Sequence, residues 1–238
     1  MCFTLRSRRP AGPERLITFH QIATKPLYDL FISAFVTLFL VIDPPGCAPI
    51  YAGLVAGAST AQARAMAIRA TVIAGLILLA FALFGQALLG AMHIGLDAFR
   101  IAGGIMLFLI ALDMVFEKRT QRREQRAEKV KAGHQPGADG DMIDDVSVFP
   151  MAMPMIAGPG SIATVMLLMS RSTGPEAMGV ILAALFAVMV LTLLALLAAR
   201  SLMRLVGAQG EAVLTRLLGV LLAALAAQYV IDGLKNIL

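Results

Sequence analysis

The sequence predicts an all-α, polytopic membrane protein: six transmembrane helices forming a 3+3 inverted repeat, with the first and fourth helices broken. Three observations predict it. Hydrophobic residues make up 59% of the 238 residues and charged residues only 15%, whereas a soluble chain sits nearer half and a quarter. Too little polar surface remains to cover a globule, so lipid must cover it. Six apolar stretches reach spanning length, and the two halves of the chain repeat one another in motif and spacing.

The elements follow in order. Residues 1–28 carry Arg6, Arg8, Arg9, Arg15 and Lys25 without an apolar core of their own, and read as a disordered or surface-lying tail. A signal peptide is disfavoured, because everything downstream is equally apolar and no small-x-small cleavage site follows the first run. The spans are expected at about 30–57, 70–92, 99–116, 146–170, 177–199 and 213–234. Each supplies roughly the 20 residues that a 30 Å hydrocarbon core needs at 1.5 Å per residue. Continuous apolar runs of this kind satisfy their backbone in lipid only as helices, and the strand alternation of a barrel is absent. Residues 29–116 form the first three-helix repeat and 146–238 the second. Between them, 117–145 is one polar loop, "EKRTQRREQRAEKVKAGHQPGADGDMIDD".

Setting "IDPPGCAPI" (42–50) against "IAGPGSIAT" (156–164) matches Ile42 with Ile156, Pro45 with Pro159 and Gly46 with Gly160. Setting "FRIAGG" (99–104) against "TRLLGV" (215–220) matches Arg100 with Arg216 and Gly103 with Gly219. The offsets, 114 and 116 residues, are nearly one register. An odd number of spans per half makes the second half enter from the opposite side, the inverted arrangement common in secondary transporters.

Charge orients the spans. Twelve Lys and Arg residues fall on the side of the central loop and three on the other, or twelve against eight with the tail included. The positive-inside bias therefore places the central loop in the cytoplasm and both termini outside. The net charge of +5 reads as basic loops and not as a nucleic-acid surface.

The chemistry concentrates at the breaks. Asp43 followed by Pro44 is the grammar of a helix start, a carboxylate at the N-cap and a proline at N1. It falls about 20 Å into the first span. Pro45, Gly46 and Pro49 extend the interruption, and Gly158, Pro159 and Gly160 open the fourth span in the same way. Ser161 or Thr164 could serve the exposed amides. Broken helices are tolerated at membrane depth only where protein or a water-filled cavity serves their backbone. Brought together by the inverted symmetry, two half-helix N-termini suit an anionic group and freed carbonyls a cation, as a zwitterionic amino acid presents. The blander account has Asp43 only capping and the prolines only kinking. A charge at mid-membrane nevertheless costs about 2.5–3.5 kcal/mol, so a role beyond capping is expected of it.

Asp113 in "FLIALDMVFE" either snorkels to the interface or takes part in coupling. Arg100 and Arg216, read as lying at helix starts, are expected to anchor at the interface, with pairing to Asp43 as the alternative. Gly103, Gly104 and Gly219 read as close-packing positions. Cys2 and Cys47 form no CxxC, and His20, His93 and His134 are scattered, so no metal site, disulfide framework or cofactor is expected. No nucleophile with a neighbouring base and no nucleotide-binding loop appears, which argues against an enzyme.

Three stretches in order, "VIDPPGCAPIYAGL" (41–54), "FRIAGGIMLFLIALDMVFE" (99–117) and "VFPMAMPMIAGPGSIATV" (148–165), resemble the MarC family of bacterial inner-membrane proteins. That family is also classed as six-helix neutral amino acid transporters related to LysE-type exporters. The resemblance covers roughly residues 28–236. It implies a multi-pass inner-membrane protein carrying small neutral amino acids such as glycine or alanine, with H+ or Na+ as the coupling cation. By motif it points to Asp43, Pro44, Pro45, Gly46 and Pro49, to Gly158, Pro159, Gly160 and Ser161, and to Arg100 and Asp113. The Arg-rich tail departs from the family pattern, and Cys47 stands at a position where members of the family vary. An ion or metal carrier using Asp43 and Asp113, or a membrane protein without transport activity, stays open as the alternative, and so does the oligomeric state.

Overall fold

The computed structural model describes residues 27–116, 145–170, 172, 174–235 and 237. The expectations for the tail before residue 27 and for the polar run 117–144 lie outside the described residues. The first span, Leu27–Leu54, is interrupted at Asp43 into α1 (Leu27–Ile42) and α2 (Pro44–Leu54). Two long helices follow, α3 (Thr60–Ala91) and α4 (Leu96–Val115). After the polar run come an irregular segment, Ser147–Ile156, then α5 (Pro159–Ser170), α6 (Pro175–Leu197) and α7 (Ala199–Lys235). Five helical stretches are long and apolar enough to cross a membrane, and a sixth span arises if Ser147–Ile156 and α5, bent by 53°, count as one. Among the described residues there is no strand.

The outer surface is that of a protein bathed in hydrocarbon. Phe84 is 68% exposed, Phe186 72% and Leu217 61%, a distribution that water would penalise along every helix and lipid does not.

Three elements differ from expectation, each for a local reason. α3 begins at Thr60 and not near residue 70, because Ser59 builds a capping box. Gln62 N–H donates to Ser59 Oγ at 3.3 Å, and Ser59 N–H donates to Gln62 Oε1 at 3.0 Å. α7 runs unbroken through 37 residues, so the loop expected before residue 213 does not exist and Arg216 lies inside a helix. Nothing between 199 and 212 stops a helix: there is no proline, and Gly207 and Gly210 only weaken it. The part of α7 apolar enough to span is Ala212–Lys235.

The first half of the fourth span is not an α-helix at all. Pro150 and Pro154 follow cis peptide bonds, and the residues before them, Phe149 (φ −130, ψ 126) and Met153 (φ −132, ψ 124), are extended. The chain closes instead through two wide turns, Met151 N–H to Val146 O at 3.3 Å and Ala157 N–H to Ala152 O at 2.9 Å.

α4 and α7 form the most extensive helix pair. A Cβ on Gly104 would stand 3.0 Å from Ala226 O, and one on Gly219 would stand 3.2 Å from Ala111 O. The expected close-packing role of Gly103, Gly104 and Gly219 is realised in this seam and, for Gly103, against Leu167 of α5. α1 and α2 lie on α6, α2 also meets α7, and α3 packs on Ser147–Ile156, α5 and α6. Two cores result. The larger joins α1, α2, α3, Ser147–Ile156, α5 and α6. The smaller gathers Leu40 and Val41 with residues of α4, α5 and α7 such as Leu107, Leu167 and Leu222. Ile42 belongs to the first core and Val41 to the second, so the interruption at Asp43 falls where the two cores meet.

Candidate functional site

Asp43 is the hinge of the first span. Its backbone is left-handed (φ 56, ψ 64), a conformation Asp tolerates better than most residues because its short side chain bonds locally. The ladder enters it, Asp43 N–H donating to Phe39 O at 2.9 Å, and leaves it, Cys47 N–H donating to Asp43 O at 3.1 Å. Between those bonds Pro44 and Pro45 have no N–H to return to the preceding turn. Gly46 N–H turns to Asp43 Oδ1 at 3.2 Å, and Cys47 Sγ reaches Ile42 O at 3.5 Å. The carboxylate is thus the N-cap of α2, as the sequence predicts, and is 1% exposed. Gly46 is required beside it: a Cβ there would lie 2.2 Å from Asp43 Oδ2. Pro44 and Gly46 are buried, whereas Pro45 and Pro49 are half-buried.

In the fourth span α5 starts at Pro159, with Ile162 N–H donating to Gly158 O at 3.0 Å. Gly158 lets the chain pass over Pro154, whose carbonyl oxygen would be 2.5 Å from a Cβ. Gly160 faces α4 first and the end of α1 next: a Cβ there would meet Ile110 Cδ1 at 2.4 Å, Val41 Cγ1 at 3.5 Å and Leu107 Cδ2 at 3.8 Å. The two interruptions are therefore neighbours, the last turn of α1 at Val41 lying beside the first turn of α5 at Gly160. Ser161 is 3% exposed and Thr164 0%, and among the described residues the Thr164 hydroxyl has no hydrogen-bond partner. Pro159 is turned outward and exposed, so of the expected site residues it stands apart from the buried set.

The charged candidates sit on α4 and α7. Arg100, in the first turns of α4, donates from Nη1 to Asp97 Oδ1 at 3.3 Å, an ion pair within its own helix. Asp113 is half-buried near the end of α4, and Arg216 is exposed on α7.

Other polar ties escape a reading of local sequence. Arg200 reaches across to the end of α2, its Nη2 donating to Val55 O at 2.8 Å and Ala58 O at 2.9 Å. The Tyr51 hydroxyl donates to Ala63 O, fastening α2 to α3, and Gln86 Nε2 donates to Met169 O at 3.0 Å, fastening α3 to α5. Outside the spans, Arg69 Nη1 donates to Asp145 Oδ2 at 2.8 Å. The Asp145 carboxyl is held below the ordinary carboxylate range by the neighbouring Ser147 hydroxyl, then by the Ser147 amide and Arg69, against the opposing effect of burial. The amide bond is well formed at 3.0 Å. The hydroxyl stands close without reaching hydrogen-bond geometry, so we assign the larger part of the hold to the amide and Arg69.

Comparison with known proteins places the chain. The MarC family integral membrane protein pattern matches residues 28–238. A UPF0056 membrane protein of Methanocaldococcus jannaschii is 35% identical over 208 residues, covering 87% of this chain and 97% of that one. The UPF0056 inner membrane protein YhgN of Escherichia coli is 33% identical over 204 residues, covering 86% and 95%. UPF0056 membrane protein YvbG of Bacillus subtilis is 31% identical over 210 residues, covering 88% and 96%. No solved structure matches. With the family pattern matched from residue 28 to residue 238 and relatives above 30% identity along most of the chain, the chain belongs to the MarC family of integral membrane proteins.

Proposed function

We propose that the protein is a secondary transporter of small neutral amino acids, such as glycine or alanine, working by alternating access in a bacterial inner membrane. The observation that carries this reading is the closeness of Val41 to Gly160, the end of α1 lying beside the head of α5, two residues from a buried carboxylate. Main-chain donors at the head of α5, the unpartnered Thr164 hydroxyl and the Asp43 carboxylate supply donor and acceptor chemistry of the sort a zwitterion needs. The helix pairing supports a pseudo-twofold arrangement: α1 and α2 lie on α6 much as Ser147–Ile156 and α5 lie on α3.

In this conformation Asp43 is sealed, and neither cavity described for the protein includes it. Transport then requires the two spans to part on alternate sides, with H+ or Na+ compensating the carboxylate. The solute is carried unchanged, so no catalytic step is assigned. The central loop is cytoplasmic in this reading.

The test is uptake of labelled glycine and alanine into proteoliposomes under an imposed H+ or Na+ gradient, for the native protein and for Asp43→Asn. Asparagine can keep the left-handed backbone and accept from Gly46 N–H, so the fold persists while the charge is gone. Gradient-driven uptake lost in Asp43→Asn supports the proposal, and uptake undiminished in the variant reduces Asp43 to a cap. An ion carrier is the second reading, favoured by the same buried carboxylate. Calorimetric binding of Mn²⁺ in place of amino acids would select it.

A further inference from the structure

An apolar groove of about 370 Å³ runs between α3 and α6 on the lipid-facing surface. Gly75 opens it, with only Met189 Cε near the position of a Cβ, at 3.8 Å. On α3 it extends from Thr71 to Leu79, and on α6 from Leu182 to Leu193. At 1.5 Å per residue these stretches measure about 12 and 16 Å, close to half of a 30 Å hydrocarbon core. A groove of that length suits one acyl chain from one leaflet.

The same helix faces continue past one end of the groove into a second, smaller cavity of about 140 Å³ that two arginines line. Arg64 stands two turns before Thr71 on the same face of α3, and Leu196 continues the stripe of α6 beyond Leu193. Both line this cavity, together with Arg200. The rise from Thr71 to Arg64 is about 10 Å, beyond the roughly 5–7.5 Å headgroup layer of one leaflet, and the long arginine side chain can reach back across the difference. Arg64 is exposed, and Arg200 engages Val55 O and Ala58 O through one nitrogen of a group that carries five N–H donors. Neither arginine is in an ion pair among the described residues, whereas Arg69 nearby is neutralised by Asp145.

We propose that one anionic phospholipid seats here, an acyl chain in the α3–α6 groove and its phosphate between Arg64 and Arg200. The charge of the mouth selects the headgroup, and the groove selects a lipid over a free anion. The leaflet is the one on the side that carries the two arginines, whichever way the protein is inserted.

The experiment is native mass spectrometry of the full-length purified protein titrated with phosphatidylglycerol or phosphatidylcholine of the same chains. It is repeated for Arg64→Gln and Gly75→Leu, and with inorganic phosphate as competitor. The first adduct is expected to favour phosphatidylglycerol. Removing Arg64, whose exposed side chain is not part of the packing, should lower that preference by roughly fivefold, the worth of one arginine beside an anionic headgroup. Gly75→Leu, which fills the groove, should reduce retention of both lipids, and phosphate should not displace the bound lipid. Equal retention of the two lipids by the native protein would overturn the proposal. So would a headgroup preference unchanged in Arg64→Gln, displacement by phosphate alone, or a dimer that excludes lipid from this face. Because the readout is lipid retention, it stands or falls independently of amino acid transport.

Discussion

Replacing Gly46 by alanine probes the cap of α2 directly. A Cβ at 46 would come within 2.2 Å of Asp43 Oδ2, 2.8 Å of Cγ and 3.0 Å of Oδ1, while ordinary contacts begin near 3.4 Å. The carboxylate must swing away, and in doing so it gives up the 3.2 Å bond from Gly46 N–H. Loss of a side-chain cap costs about 0.5–2 kcal/mol, and a buried amide left without an acceptor about 1–3 kcal/mol. The two costs overlap, so the net destabilisation is about 1–3 kcal/mol. Against this stands the roughly 0.5–1 kcal/mol by which alanine is favoured over glycine in a helix. Gly53→Ala, on the same helix with nothing within 4 Å of the new methyl, measures that gain alone. Unfolding in mild detergent, followed for Gly46→Ala, Asp43→Ala and the double variant, isolates the collision. Gly46→Ala should destabilise the native protein, yet be neutral or favourable once Asp43 is alanine, because no carboxylate remains to strike. An equal cost in both backgrounds, or a Gly46→Ala protein as stable as the native one, would refute the assignment of Gly46 to the cap.

Other outcomes follow from the same geometry. Gly104→Leu pushes a side chain into the Ala226 carbonyl and Val230 backbone of α7. It should cost more than about 2 kcal/mol in detergent unfolding, while Gly90→Leu, in open space, should be nearly neutral. Tyr51→Phe removes the bond to Ala63 O and should destabilise by about 1 kcal/mol. Because the Asp145 pKa is lowered on folding from 3.8, its contribution is present above that value and lost as pH falls through the folded one. The stability gap between native protein and Asp145→Asn should therefore be visible at pH 6 and close on acidification. With the side chain 43% exposed, that gap should stay under about 1 kcal/mol.

Much of this was legible in the residues themselves, and what was not had definite causes. The apolar runs announce their spans, and "DPPG" announces an interrupted helix, since an N-cap followed by two residues without N–H can be little else. "STAQ" at 59–62 announces the start of α3 equally well, but hydropathy alone hides it, because the helix continues into polar sequence beyond the bilayer. The polar gap between the spans at 177–199 and 213–234 reads as a loop where α7 simply runs on, helix-forming residues being indifferent to the interface they leave. The prolines of "FPMAMP" signal a broken helix but not the two wide turns that replace it. Long-range ties leave no local trace: Arg200 and the carbonyls it holds are 145 and 142 residues apart, and Gln86 lies 83 residues from Met169. The meeting of Val41 with Gly160 was foreseeable only through the internal repeat.

The grip of Arg200 on the last carbonyls of α2 decides where the first span is able to flex. Its far end is riveted to the elbow between α6 and α7, and Tyr51 pins its flank to α3. Any rocking of α1 against the rest of the bundle must then be taken up at residue 43, where a left-handed backbone and two missing amide hydrogens leave the rod thinnest. The joint and the buried acidic side chain of that span coincide, Asp29 lying exposed at its start, so in the proposed transport cycle the same atoms would sense the solute and bear the motion it provokes.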